Sequence, residues 1–317
     1  MHRTQSAALL FALSCAVVVA PAHAVQRTHV SAAFGSDSNT ATNCTATAPC
    51  RFFQAAMTVT DVNGEVIVLD SGGYGGVTIT QSVALIAPTG VYAGISVFPG
   101  VAGVIIVTPG INVTLRGLTI NSQGGSYGVY TSVAGSLSII NCEISNFSNN
   151  FDTAVFVSNN AKLRIVDSVI RDSFYGIHIA EGAKATISKV SVLGSSSIGI
   201  YASSSTAAVT TTIAVSDSTL ADNLVGVYVF SLAANALARG SVIRTTVTGG
   251  NYGIYSQGSN LASSVALITL SESMVTGSAV FGLVQAGPSA ILRSLGNNTV
   301  DQNNINTSGT ISPLPTL

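Results

Sequence analysis

YGIHIAEGAKATISKV, residues 175–190, gathers a histidine, a carboxylate and two lysines within one short stretch. Whether His178, Glu181, Lys184 and Lys189 form a site or belong to something periodic is decided by what recurs elsewhere in the chain. Starting from ATISKVSVL (185–193), counterparts stand at LSIINCEIS (137–145), LRIVDSVIR (163–171), IAVSDSTLA (213–221), GSVIRTTVT (240–248), ITLSESMVT (268–276) and RSLGNNTVD (293–301). In each, an aliphatic residue lies two before a polar or charged position and another lies three after it. That position steps through Asn141, Asp167, Lys189, Asp217, Arg244, Glu272 and Asn297, at intervals of 22 to 28 residues. VTLRGLTIN (113–121) fits as a further copy with Gly117 there.

The first half of the stretch recurs as well. GIHI at 176 has counterparts GVYT at 128, AVFV at 154, GIYA at 199, GVYV at 226, GIYS at 253 and GLVQ at 282. Each unit therefore holds at least two short period-two strands separated by Gly, Ser, Asn and Asp turns, with no helical stripe between them. Such units cannot bury a face alone; stacked coil on coil they bury a continuous core, which is a β-solenoid. The composition agrees: 8% of residues are charged, 6% are aromatic, and there is no Trp. The length of 317 residues does not by itself force two domains.

At the N-terminus, His2 and Arg3 precede the apolar run AALLFALSCAVVVA, and Ala22-His23-Ala24 supplies a small-x-small cleavage pattern. The expectation is a signal peptide over 1–24, a mature chain from Val25, and a secreted or periplasmic location. A lipoprotein reading through Cys15 fits poorly, because Ala-Leu-Ser precedes it. No later segment is apolar for long enough to span a bilayer, so no membrane insertion is expected after signal removal. The mature balance is 11 Lys+Arg against 13 Asp+Glu. That net charge favours neither nucleic acid nor an anionic membrane surface as a partner. Cys44 and Cys50 flank a short loop in NCTATAPC, and in an exported chain they are expected to form a disulfide. Cys142 reads as a buried thiol.

The order of a cap segment, then GEVIVLDSGGYGGVTITQSVALIAP (64–88), then coils of the form aliphatic-x-Asn-Cys-x-aliphatic, resembles the right-handed parallel β-helix proteins of the pectate-lyase-like superfamily, particularly their exported bacterial members. The likeness covers about residues 50–303. It implies an all-β right-handed parallel β-helix of about 8 to 10 coils, whose open first coil is plugged by a short helix near 51–60 through Phe53, Ala56 and Met57. The expected organisation is a 25–63 segment with the capping helix, a solenoid over 64–303, and a disordered tail over 304–317 carrying Pro313 and Pro315. The superfamily includes lyases, hydrolases, epimerases, adhesins and phage spikes, so the likeness specifies fold and leaves activity open.

Parity then places the histidine. Ile177 and Ile179 share a face with Val129, Val155, Ile200, Val227 and Ile254, which points that face inward and His178 outward. Its stacked equivalents are Tyr130, Phe156, Tyr201, Tyr228 and Tyr255, an exterior aromatic ladder. Lys189 belongs to the polar column, where four consecutive steps from Asp167 to Glu272 set opposite charges on neighbouring coils. Interleaved cations argue against a calcium site there. Five residues further on, Asn146, Asp172, Gly194, Asp222, Gly249 and Gly277 share tolerance of positive φ, so turn geometry accounts for the two acids. Glu181 and Lys184 in EGAK, like Lys162 in NNAK, read as solvated turn charges.

An enzyme of this superfamily needs calcium-binding carboxylates with a cationic base, or the hydrolases' Asn-Thr-Asp, Asp-Asp, Gly-His-Gly and Arg-Ile-Lys. Neither set is present. Glu143, Asp152 and Asp167 form the only acidic group dense enough to consider for glycosidic cleavage. No cofactor or metal pattern is found, so none is expected. The expectation is an exported, non-catalytic protein that binds glycan or another cell-surface partner along the ladder. There, sugar faces would pack on the rings, and His178 would add a positive charge near pH 6. A polysaccharide lyase or glycoside hydrolase, and a purely structural or adhesin-like solenoid, are the alternatives.

Overall fold

The structure is a computed structural model and describes residues 25–314. The expected signal peptide lies outside the described residues. Three parallel sheets of twelve, ten and ten strands wrap one right-handed solenoid. Each coil gives one strand to each sheet, as Ser136–Ile140 to the first, Glu143–Ser145 to the second and Thr153–Val157 to the third. A strand pairs with its equivalents one coil away on either side, so Ser136–Ile140 lies between Asn112–Arg116 and Lys162–Val166. From Thr60–Val68 to Ile305–Ser308 the described chain completes ten such coils.

β-Branched and leucyl side chains on the inner parity of each strand make the core. The column Leu115, Ile139, Ile165, Ile187, Val215, Val242 and Leu270 runs through the first sheet fully shielded from solvent. Val129, Val155, Ile177, Ile200, Val227 and Ile254 do the same in the third. Burying one such side chain contributes roughly 1.5–3 kcal/mol, and the coils share one uninterrupted stack of them.

Two left-handed corners turn the chain. The polar column forms the first, with φ of 52° at Asn141, 51° at Asp167, 54° at Lys189, 52° at Asp217, 46° at Arg244 and 47° at Glu272, and 72° at Gly117. Each backbone N–H there still bonds the next coil, as Lys189 N donates to Ser216 O at 3.2 Å. Asn, Asp and Gly suit this region, whereas Lys, Arg and Glu occupy it at a cost of roughly 1–2 kcal/mol each. Asn297 departs from the column: Gly296 takes the left-handed place at φ 81°. Asn297 instead accepts from Glu272 N through its Oδ1. The second corner is the expected one, with φ of 68° at Asn146, 54° at Asp172, 64° at Gly194 and 57° at Asp222. Just inside the first corner, buried hydroxyls cross-link coils: Ser168 Oγ accepts from Cys142 N at 3.1 Å, and Ser218 Oγ from Val190 N at 3.2 Å. Cys142 continues this column as a buried thiol whose pKa burial pushes up to about 11.

Entry into the third sheet explains the recurring glycine of GVYT, GIHI and GIYA. The backbone bends there so that successive coils nearly touch, and a Cβ on Gly226 would stand 2.6 Å from Gly253 O and 2.4 Å from Val247 Cγ1.

Both ends depart from the expected boundaries. Val25–Val30 already pairs in parallel with Thr60–Val68, so the 25–63 segment contributes a strand as well as the cap. The capping helix is Phe53–Met57, with Phe53, Ala56 and Met57 buried. The Cys44–Cys50 disulfide closes the loop beside it. The segment expected to be disordered from 304 carries two strands, Ile305–Ser308 and Ile311–Pro313. Its side chains are largely exposed and give no apolar signature; the preceding coil's backbone supplies the pairing. Pro313 sits in the last strand of its sheet, where a missing donor costs nothing.

Candidate functional site

The third sheet brings the six ladder residues together. Register pairs Tyr130 with Phe156, Phe156 with His178, His178 with Tyr201, Tyr201 with Tyr228, and Tyr228 with Tyr255. All six are half-buried on the outer surface. A second row escaped the sequence reading. Tyr127, Tyr175, Tyr252 and Phe281 stand three residues before ladder positions and also face outward, because the strand bends at the intervening glycine and period-two parity breaks there. The signal was the Tyr-Gly-x-Tyr/His spacing itself. Tyr127 lies 4.9 Å from Tyr130, Tyr175 5.7 Å from both His178 and Tyr201, and Tyr252 5.6 Å from Tyr255.

Ring orientation revises the expected mode of contact. Tyr130 and Phe156 lie 5.3 Å apart with planes at 11°, His178 and Tyr201 4.3 Å at 17°, and Tyr201 and Tyr228 5.2 Å at 10°. Nearly parallel rings at such separations are offset-stacked. Their faces are therefore turned towards one another along the solenoid axis, and solvent meets edges and hydroxyls rather than flat rings. Phe156 meets His178 edge-on at 78°, and Tyr255 tilts 53° from Tyr228. The stack ends where Ile105 replaces a ring opposite Tyr130. There a depression of about 470 Å³ opens, lined by Val101, Ala102, Ile105, Ser126, Tyr127 and Tyr130.

The wall is electrically neutral. His178 is wedged between Phe156 and Tyr201, and burial lowers its pKa to about 4. The positive charge expected near pH 6 is therefore absent. Its Nε2 is 3.0 Å from Ser203 Oγ, a buried hydroxyl. Burial also raises Tyr201 to about 12 and holds Tyr228 higher still. The Tyr228 hydroxyl donates to Gln257 Oε1 at 2.5 Å.

The carboxylates lie elsewhere. Glu143 is on the outer second sheet, 2.8 Å from Arg171, which also holds Asp172 at 2.6 Å. Asp152, buried at the start of the third-sheet strand, accepts from Asn149 at 2.9 Å. Asp167 is at the first corner, so the three stand on different parts of the coil. Asp70 belongs to the cap. Burial works against its charge, but bonds from Ser31, Tyr74, Ala32 and Ala33 outweigh it and lower the pKa to about 2. Among the described residues no three His, Cys, Asp or Glu side chains are grouped to hold a metal ion.

In the charge column only Arg244 and Asp217 form a direct ion pair, at 2.7 Å. Lys189 helps lower the Asp217 pKa after the larger effect of the Arg244 bond, and Glu272 acts on Arg244 across the next step. Glu181 does face a turn, accepting from Ser205 and Thr206 N at 3.0 Å each. Lys162 and Lys184 do not: each opens a first-sheet strand, exposed on its outer face.

No described helix is long and apolar enough to cross a membrane. A search of curated proteins finds no sequence match. Among solved structures, the alginate lyase from Paenibacillus sp. str. FPU-7 superposes with a TM-score of 0.57 at 13% identity, covering 91% of this chain and 99% of that one. The pectate lyase Pel9A superposes with a TM-score of 0.55 at 13% identity, covering 87% and 79%. At that identity the likeness shows a shared fold. The family model described as "Right handed beta helix region" matches residues 102–267, just over half of the chain and the coils that carry the ring wall, and the chain belongs to that right-handed β-helix family.

Proposed function

We propose that this is an exported, non-catalytic β-helix protein that binds an extended, uncharged polysaccharide along the aromatic wall of the third sheet. The observation that carries the reading is the end of the ring stack at Tyr130, with Tyr127, beside the depression over Ile105. A sugar ring stacks there through its C–H face, and the chain continues over the ring edges, exchanging hydrogen bonds with tyrosine hydroxyls and Gln257. Coils spaced ~4.8 Å apart give the six ladder positions a reach of ~24 Å, the length of roughly five sugars. The outward positions of these strands are Tyr, Phe, His, Ile, Val, Thr, Ser and Gln, with no charge to hold an acidic chain. The Cys44–Cys50 bridge suits an oxidising compartment.

The parallel stacking of His178, Tyr201 and Tyr228 favours a second role for the middle of the ladder, as a spine that holds coils together. The two roles separate in one experiment: retention on insoluble neutral polysaccharides for wild type, Tyr127→Ala with Tyr130→Ala, and Tyr201→Ala with Tyr228→Ala. The first pair is expected to weaken retention tenfold or more with a modest fall in melting temperature, and the second to lower the melting temperature most. Absence of wild-type retention, or release of cleavage products, overturns the reading.

A further inference from the structure

The mature chain carries a small net negative charge, yet its unpaired cations are not scattered. Arg27, Arg171 and Arg244 are ion-paired, and Arg51 bonds Gly73 O. Six of the others, Arg116, Lys162, Arg164, Lys184, Arg239 and Arg293, project from the outer face of the first sheet. Five are exposed and Arg293 is half-buried. None of the six has a side-chain hydrogen bond or ion pair among the described residues. No acidic residue projects from this face between the Asn112–Arg116 and Ala290–Ser294 strands. Asp167, Asp217 and Glu272 stand at the adjoining corner, interleaved with Lys189 and Arg244.

Lys162 and Lys184 are register partners, directly opposite on adjacent strands. Like charges so placed destabilise a sheet, and the fold retains them without a counter-ion. With Arg164 and the hydroxyls of Ser136, Ser138 and Thr186 they line a shallow depression of about 420 Å³.

We infer that this face docks on an anionic lipid surface, with the aromatic wall on another side of the solenoid left free. Three features select that partner. The cations spread over three outward columns, Lys162, Lys184 and Arg239 in one, Arg164 and Arg293 in a second, and Arg116 in a third. Across seven coil steps of ~4.8 Å they cover ~34 Å, a flat two-dimensional array that matches a plane of headgroups better than one linear polymer. No aromatic side chain lies on this face, so neither bases nor sugars have a stacking platform. No described helix is long and apolar enough to cross a bilayer, and the proposed contact is with the headgroup surface. Each cation near an anionic surface raises partitioning roughly fivefold.

The test is co-sedimentation of the mature protein with vesicles of phosphatidylcholine alone and with about one-third phosphatidylglycerol, at low and physiological salt. Binding is expected only to the anionic vesicles, falling as salt rises. Lys162→Gln with Lys184→Gln is expected to reduce it roughly 25-fold. The same pair should raise the melting temperature at low salt, since it removes the opposed charges; a purely structural role for these lysines predicts the reverse. Tyr127→Ala with Tyr130→Ala should leave vesicle binding unchanged, which keeps this result separate from the fate of the polysaccharide reading. Equal binding to both vesicle types, no binding, an unaffected lysine variant, or competition-proof binding to a uronate oligomer or poly(dT) with vesicles ignored would each overturn the inference.

Discussion

His178 lies 4.3 Å from Tyr201, with the ring planes 17° apart, and its Nε2 reaches the buried Ser203 hydroxyl of the next coil at 3.0 Å. An imidazole so enclosed is a rung of the wall, held neutral, and that has a consequence for acid stability. Burial lowers its pKa from the ordinary 6.5 to about 4. The unfolded chain therefore binds the proton first as pH falls, and the stability contributed by the neutral ring is complete above pH 6.5 and lost between there and about 4. The loss is on the order of 1–3 kcal/mol. Urea unfolding of wild type and His178→Phe at several pH values should show a steeper decline for wild type in that window. His29, whose pKa burial also lowers, contributes in the same direction to both proteins, and Asp70 acts only nearer pH 2 to 4. Parallel pH profiles would mean that His178 is solvated.

Tyr201 stacks on rings both above and below it, at 4.3 and 5.2 Å. Tyr201→Ala removes both pairs and part of a buried surface, a loss of about 2–3 kcal/mol, whereas Tyr201→Phe keeps the rings and should cost under about 1 kcal/mol. Thermal melting distinguishes the two. Equal, small losses would remove the spine role from the middle of the ladder.

How much of this was legible depended on what each feature needs. Parity alone set Ile177 inward and His178 outward, because alternation is a property of a single strand. Tyr175 was missed because the bend at Gly176, where a Cβ would meet Gly199 O at 2.5 Å, depends on the neighbouring coil. Stacking of ring faces depends on side-chain torsions that no spacing encodes. Lys162 and Lys184 looked like turn charges because NNAK and EGAK are turn sequences, yet each lysine is the first residue of its strand. The cationic face is visible only once register aligns residues from five coils, and net charge hides it. The strands after residue 304 carry little apolar pattern, since an end coil borrows its backbone pairing from the coil before it.

The glycine bend gives a separate test of the coil spacing. Gly226→Ala places a methyl 2.6 Å from Gly253 O and 2.4 Å from Val247 Cγ1, so the coils must separate locally, at a cost of about 1–3 kcal/mol. Ala154, at the equivalent place one coil before Gly176, is fully buried and shows that the position accepts a methyl where the neighbours yield. Denaturant unfolding of Gly226→Ala against Ala154→Gly measures the difference. A neutral Gly226→Ala would mean that the approach is looser than 2.6 Å implies.

Lys189 tests the corner column, because its charge and its backbone can be changed independently. Its φ is 54°, a region that lysine occupies at a cost and asparagine accepts readily. Its ammonium acts on Asp217 on one side, with Asp167 in the same column on the other. Lys189→Glu keeps the strained backbone and sets three acids in succession, so the melting temperature should fall at low salt and partly recover as salt screens the repulsion. Lys189→Asn loses the charge but relieves the left-handed strain by about 1 kcal/mol, and should melt at or above wild type with little salt dependence. If Lys189→Glu melts with wild type at low salt, the column holds no electrostatic register. If Lys189→Asn falls as far as Lys189→Glu, the charge outweighs the backbone at this corner, and interleaved charge is what keeps lysine there.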